Sequence, residues 1–377
     1  MTRRIVYVTG TRADFGLMRA TLLALNADPA LSVSVVATGM HFSTAHGETI
    51  REVEASGLPI LARVPVPVMP ATGATMARGI GVMVTAFTDA LEVERPDIVL
   101  LLGDRGEMLA GAIAALHLNI AVAHIHGGER SGTVDEPVRH AISKLSHLHL
   151  TATADARARL IKMGENAADV HVTGAPGLDG LTDGPPADRN EVMAAYGLDP
   201  AQSVALMVYH PVLQVADKAG AEAAMVLDAV IASGAQALVL MPNADAGSDA
   251  VRAALVARRD RQGVKLLTHL ERPAFIAAMA TADVMVGNSS AGIIEAASFG
   301  TPVVNIGSRQ RLRERNANVV DVDAEPDAIL KAIADGLGES RRTAANVYGD
   351  GHAAERIVAV LKNTQLGPEI MMKTNAF

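Results

Sequence analysis

Short runs of β-branched and aliphatic residues alternate along this chain with longer stretches of helical spacing, and that alternation leaves few folds open. Strand-like runs are Ile5–Thr9, Ser32–Ala37, Ile98–Leu102, Ala121–Ile125 and Leu148–Thr151. A second series is Val170–Val172, Val204–Val208, Ala237–Leu240, Lys265–Leu267, Val284–Val286 and Pro302–Ile306. Runs that are apolar throughout belong to strands covered on both faces. Between them lie helical stretches such as Leu17–Leu25, Thr75–Val93, Met108–Leu116 and Ala291–Phe299. Strand–helix–strand repetition requires parallel sheets with right-handed crossovers.

The two series are separated by Gly174-Ala-Pro-Gly177 and Asp183-Gly-Pro-Pro186, which read as a linker. The expectation is an α/β chain of two Rossmann-like domains, 1–174 and 175–350, with parallel sheets facing a central cleft. Residues 351–377 supply a last helix, His352–Leu361, able to pack back on the first domain, and a frayed tail from Lys362 to Phe377. Ligands in such folds sit at the carboxyl ends of the strands.

Composition removes several function classes. The 377 residues contain no Cys, which excludes a disulfide scaffold, a thiolate nucleophile and a Cys-ligated zinc site. Aromatic residues are only 3%, too few for a base-stacking platform. The formal charge of −8 argues against DNA or an anionic membrane as partner. Met1-Thr-Arg-Arg runs directly into Ile5-Val-Tyr-Val without a signal-peptide core, and Met108–Ile125 reads as helix, turn and buried strand, so the expected location is the cytoplasm.

Strand ends carry the chemistry. Gly10-Thr-Arg-Ala-Asp-Phe-Gly16 opens a helix after the first strand, and Arg12 there suits phosphate oxygens. It is neither G-x-G-x-x-G nor a Walker A loop, so it reads equally as an ordinary tight turn. Leu102-Gly-Asp-Arg-Gly-Glu107 puts Asp104 and Arg105 at a strand end, as acid and cation or as a plain helix cap. His124-Ile-His126-Gly-Gly-Glu129 ends the neighbouring strand, and Asp135, read as an N-cap, opens the next helix. His124 and His126 also leave a divalent-cation reading open. His147 and His149 read as structural.

In the second half, Tyr209-His210-Pro211 aims an imidazole at the acids of the first, unless it is structural. Gly287-Asn288-Ser289-Ser290-Ala-Gly292 reads as a phosphate cradle with Glu295 within reach of a ribose diol. The competing reading is a helix cap with a surface Glu. Arg309 follows the next strand.

Together these motifs resemble the hydrolysing UDP-N-acetylglucosamine 2-epimerases, both the bacterial sialic-acid and legionaminic-acid type and the epimerase half of the bifunctional animal enzyme. The order G-D-R, H-x-H-G-G-E, S-G-T-V-D-E-x-x-R-H, Y-H-P and G-N-S-S-x-G-x-x-E carries the resemblance over nearly the whole chain. It implies the glycosyltransferase-B arrangement of two Rossmann domains, the second holding the nucleotide. The implied reaction eliminates UDP from a UDP-linked sugar through a glycal and adds water, releasing an N-acetylmannosamine-type sugar. No cofactor is required.

By position, the resemblance implies Asp104, Asp135 and His210 as catalytic. It implies Arg12, Arg105, Ser289, Ser290, Glu295 and Arg309 as nucleotide contacts, with His41, Asn243 and Asn288 taken into the binding set. Where many members read H-I-E-G-G-E, this chain has His126. Either His126 performs the acid/base step, titrating near its usual pKa of about 6.5, or Glu129 does from a mobile turn beyond two glycines. A homo-oligomer, dimer or tetramer, is expected. The non-hydrolysing epimerases, a glycosyltransferase of the same fold, a His-based metal hydrolase and a non-catalytic binding module are the alternatives.

Overall fold

The computed structural model describes residues 2–184, 186–341 and 344–376. Pro185 of the expected linker and Phe377 of the expected tail lie outside the described residues. In the first half the strands are β1 (Arg3–Thr9), β2 (Leu31–Thr38), β3 (Ile60–Val64), β4 (Ile98–Leu102), β5 (Ala121–Ile125), β6 (Leu148–Thr151) and β7 (Val170–Val172). They form one parallel sheet in the order β3-β2-β1-β4-β5-β6-β7. Val170–Val172 therefore closes the first sheet and does not begin the second series.

The second half has β8 (Val204–Val208), β9 (Gln236–Leu240), β10 (Val264–Leu267), β11 (Val284–Gly287), β12 (Val303–Ile306) and β13 (Val319–Val322). Its parallel order is β10-β9-β8-β11-β12-β13. In each sheet the order reverses beside the first strand of that half. The chain leaves β1 and β4 in opposite directions, and likewise β8 and β11, which opens a crevice at their carboxyl ends.

β4, β5, β8 and β9 are buried at every residue. Alternate side chains feed two cores per sheet. Ile5 and Tyr7 point into one, with Phe15, Met18 and Leu22; Val6 and Val8 point into the other, with Phe87 and Met108. The second sheet repeats the pattern.

Helix Ala353–Asn363 returns to the first half, where Ala353, Ile357 and Leu361, one turn apart, join the core beside Met18 and Leu22. The described residues after it are held in place, contrary to the sequence expectation of a frayed tail. A short helix Pro368–Met371 packs Ile370 and Met371 on that core. Lys373 then reaches Glu165 at 2.6 Å, and the Ala376 amide donates to the Gly164 carbonyl at 2.9 Å. Glu165 also meets Lys144 at 2.7 Å and His149 at 2.9 Å, so three partners hold one buried carboxylate. Among the described residues no helix is long and apolar enough to cross a membrane.

Candidate functional site

The turn after β1 is built by Thr11, which caps helix Arg12–Ala27 in a reciprocal box with Asp14. Asp14 accepts the amides of Gly10 at 3.2 Å and Thr11 at 2.7 Å. Those amides are spent, so the turn itself is no phosphate cradle. Burial, with Glu107 adding, raises the Asp14 carboxyl to about 6. Arg12 still faces the cleft and donates to the Thr268 carbonyl of the second half at 2.9 Å. Burial lowers its guanidinium to about 10.

His41 lies behind this turn and does not line the cleft. It is fully buried, with Nε2 2.9 Å from the Thr9 hydroxyl and Nδ1 2.9 Å from that of Thr49. Burial lowers it to about 4.

After β4 the backbone cap of helix Gly106–His117 is Arg105, and Asp104 caps nothing. Asp104 instead forms an ion pair with the buried Arg139. Arg105 is not solvated either: Nε donates to Glu107 at 2.8 Å and Nη1 to Asp245 of the second half at 3.2 Å. Burial alone would lower its pKa, but Glu107 and Asp245 outweigh that and raise it.

After β5 the chain turns sharply, with His126 in the left-handed region at φ 63°, a conformation that costs a non-glycine residue energy. Its Nδ1 hydrogen-bonds the Glu129 carboxylate, and Glu129 in turn pairs with Arg313 of the second half. Glu129 is thus locked in place at 3% exposure and is not on a mobile turn. A proton on Nδ1 given to Glu129 leaves Nε2 as the basic nitrogen. Burial lowers His126 to about 3, with Arg313 adding, so its titration does not fall near 6.5.

His124 contacts the Gly103 carbonyl at 2.7 Å and the Ser143 hydroxyl at 3.1 Å. Both its nitrogens are occupied, and among the described residues no three His, Asp or Glu side chains gather as metal ligands. Asp135 is the first residue of helix Asp135–Leu145, with Val134 at the cap position; it is not itself the cap.

In the second half His210 follows β8. Its backbone amide donates to Asn288 Oδ1 at 2.7 Å, and Asn288 Nδ2 donates to the His210 carbonyl at 2.8 Å. Asn288 is spent on holding His210 in place. The His210 Nδ1 atom is buried without a hydrogen-bond partner. Burial lowers His210 to about 3, with Arg309 adding and Asp245 opposing.

Ser289 caps helix Ser290–Ile294, taking the Ala291 amide at 3.3 Å. Glu295 is not on the surface. It is 4% exposed and paired with Arg272, and burial raises its carboxyl despite that partner.

These side chains converge on two adjoining recesses. One, of about 160 Å³, is lined by Arg12, His210, Asn243, Ser289, Ser290, Glu295 and Arg309. The other, of about 260 Å³, has Asp104, Arg105, Glu107, Asp135 and Asp245 on its polar side. Arg309 joins them, with Nη2 3.8 Å from Asp135 Oδ2. His41, His126, Glu129 and Asn288 stand behind these walls. Sequence reasoning missed Glu107, Asp245 and Arg313. Asp245 had one signal, its place two residues after Asn243 beyond β9.

The family described as UDP-N-acetylglucosamine 2-epimerase matches residues 23–362. A Legionella pneumophila protein described as UDP-N,N'-diacetylbacillosamine 2-epimerase (hydrolyzing) is 48% identical over 377 residues, covering all of both chains. A Neisseria meningitidis UDP-N-acetylglucosamine 2-epimerase is 32% identical over 366 residues, 96% of each. The crystal structure of UDP-GlcNAc 2-epimerase from Neisseria meningitidis bound to UDP-GlcNAc superposes with a TM-score of 0.80 at 20% identity, covering 96% of this chain and all of that one. It shares the two-sheet, glycosyltransferase-B-like fold. On the family match and the full-length identity, the chain belongs to the UDP-N-acetylglucosamine 2-epimerase family.

Proposed function

We propose that the chain hydrolyses and epimerises UDP-N,N'-diacetylbacillosamine, releasing UDP and the free 2-epimer. One observation carries the reading. Carboxylates of the first half meet arginines of the second where two recesses adjoin, Asp135 beside Arg309 at 3.8 Å. Acid/base groups thus stand next to donors suited to a diphosphate. The hydrolysing outcome and the sugar are supported by the Legionella relative's description.

In the proposed reaction a base takes the proton from C2, and that electron pair forms a C1–C2 double bond as the C1–O bond to UDP breaks. Water then adds its oxygen to C1, and C2 receives a proton on the opposite face. No net redox change occurs, so the proposal includes no nicotinamide, and the arginines take the place of a metal at the diphosphate. Arg12, Ser289, Ser290 and Arg309 hold the diphosphate, and charge developing on it is met by groups already in place. Glu295 takes a ribose hydroxyl. Asp104, Asp135 and His210 serve the proton transfers, with the His126–Glu129 pair behind them. The proposal places the chain in the cytoplasm as a dimer or tetramer, the latter readable by light scattering.

The test is an NMR time course in D2O with protein and nucleotide sugar alone. Free 2-epimer with one deuterium at C2, plus UDP, is expected. An epimer still joined to UDP overturns hydrolysis, and a rate abolished by chelator overturns the metal-free chemistry.

A further inference from the structure

The larger recess has a second wall that the reaction does not use. Beside Asp104 and Asp135 the lining is apolar, formed by Val66, Met76, Ile80, Met83, Val138 and, from the second half, Leu213. Ile80 sits directly on the turn that bears Asp104 and Arg105, since a Cβ on Gly106 would come within 2.8 Å of it. The chain leading to helix Gly73–Glu94 is tied to the second half as well. Ala71 donates to Asp249 at 3.1 Å and accepts from the Gly247 amide at 3.1 Å. Both halves therefore shape this chamber.

We propose that this chamber is the subsite for the second acetamido group of the sugar, and that Met76 and Ile80 determine the preference for a doubly N-acylated hexosamine. The proposal rests on the reading above for the sugar's placement. At about 260 Å³ the chamber is smaller than the roughly 300–1,000 Å³ of sites that enclose a whole drug-sized ligand. It suits one end of a nucleotide sugar, while Arg309 and the serines hold the other. A hydroxyl set against Ile80 and Met76 gives up water without gaining a partner. An acetyl methyl there buries apolar surface instead. The carboxylates in the same recess, paired with arginines, are left to the reacting edge of the ring.

The test compares binding by calorimetry of UDP, UDP-N-acetylglucosamine and UDP-N,N'-diacetylbacillosamine to the wild type, Ile80→Ser and Met76→Ser. The wild type is expected to prefer the diacetylated sugar by about 10–200-fold, the usual worth of one small apolar group in a pocket. Loss of about tenfold of that preference in either variant, with UDP alone bound as before, supports the subsite. Equal wild-type affinity for the two sugars overturns it. So does a preference retained in both variants, or a matching loss for UDP alone. A preference in binding with no free sugar released in D2O leaves the subsite standing and removes the hydrolysis reading.

Discussion

Arg309 spans the cleft, its Nη2 3.8 Å from Asp135 Oδ2 while its Nη1 donates to the Asn288 carbonyl at 3.1 Å. One guanidinium therefore touches the first half's acid and the residue that holds His210. Arg309→Ala is expected to weaken UDP binding by about 1–3 kcal/mol, the range for a charged hydrogen bond, with a smaller effect on turnover of bound substrate. Ser290→Ala should act in the same direction. Unchanged UDP affinity in both variants, by calorimetry, sinks the placement of the diphosphate.

His210→Ala is expected to remove most turnover while UDP still binds. The buried, partnerless Nδ1 is the reason. A purely structural histidine would give the reverse result, a lowered melting temperature with kcat per folded molecule retained.

His126 has φ 63°, so its two roles separate by substitution. Gly adopts that backbone at lower cost than His or Ala, both of which carry a Cβ. If the side chain does the proton transfer, His126→Gly and His126→Ala should both lose about 10²–10⁴-fold in kcat. The glycine variant, relieved of the Cβ, should melt higher than His126→Ala. The wild-type kcat/KM profile should lack a His126 limb near 6.5, because burial moves that titration down to about 3.

Stability should fall in mild acid. Burial lowers His41 to about 4 and His124 and His210 to about 3. Below about pH 6.5 the unfolded chain binds protons that these native imidazoles refuse. Stability present above that pH is then lost as pH falls, by up to about 1.4 kcal/mol per pH unit for each histidine. Asp14, raised to about 6, and Glu295, also raised by burial, work in the opposite sense, against these histidines and His126. Denaturant midpoints at pH 7 and pH 5 measure the slope, and His124→Gln should flatten it. Midpoints that do not move refute the account.

Removing residues 364–377 should lower the melting temperature, because Glu165 then loses Lys373 and the first core loses Ile370 and Met371. Glu165→Gln in the full chain separates the ionic share from the apolar one. A truncated chain that melts with the intact one would show that the tail contributes nothing.

The sequence made the buried strands legible because nothing polar interrupts Ile98–Leu102 or Val204–Val208. It hid β3 and β13, whose residues are half-exposed and mixed in character. The same holds for the site. Strand-end motifs put His210, Ser289 and Arg309 in one recess, since strand ends at a switch point must converge. Contacts between halves left no local trace. Nothing beside Glu129 announces Arg313, and nothing beside Arg105 announces Asp245. The tail reads as polar and short, and its anchoring depends on Glu165, some two hundred residues earlier.

The chain passes between its halves twice, and the two passages lie against each other. The Ala175 amide donates to the Tyr348 carbonyl at 2.8 Å, and a Cβ on Gly349 would come within 3.2 Å of the Gly174 Cα. Both glycines have positive φ, 87° and 136°. Two tethers bound side by side act like the two leaves of a door hinge. Such a pairing resists sliding and twisting more than bending about its common line. A swing about that line would part Arg309 from Asp135, Arg105 from Asp245 and Arg313 from Glu129 in one movement.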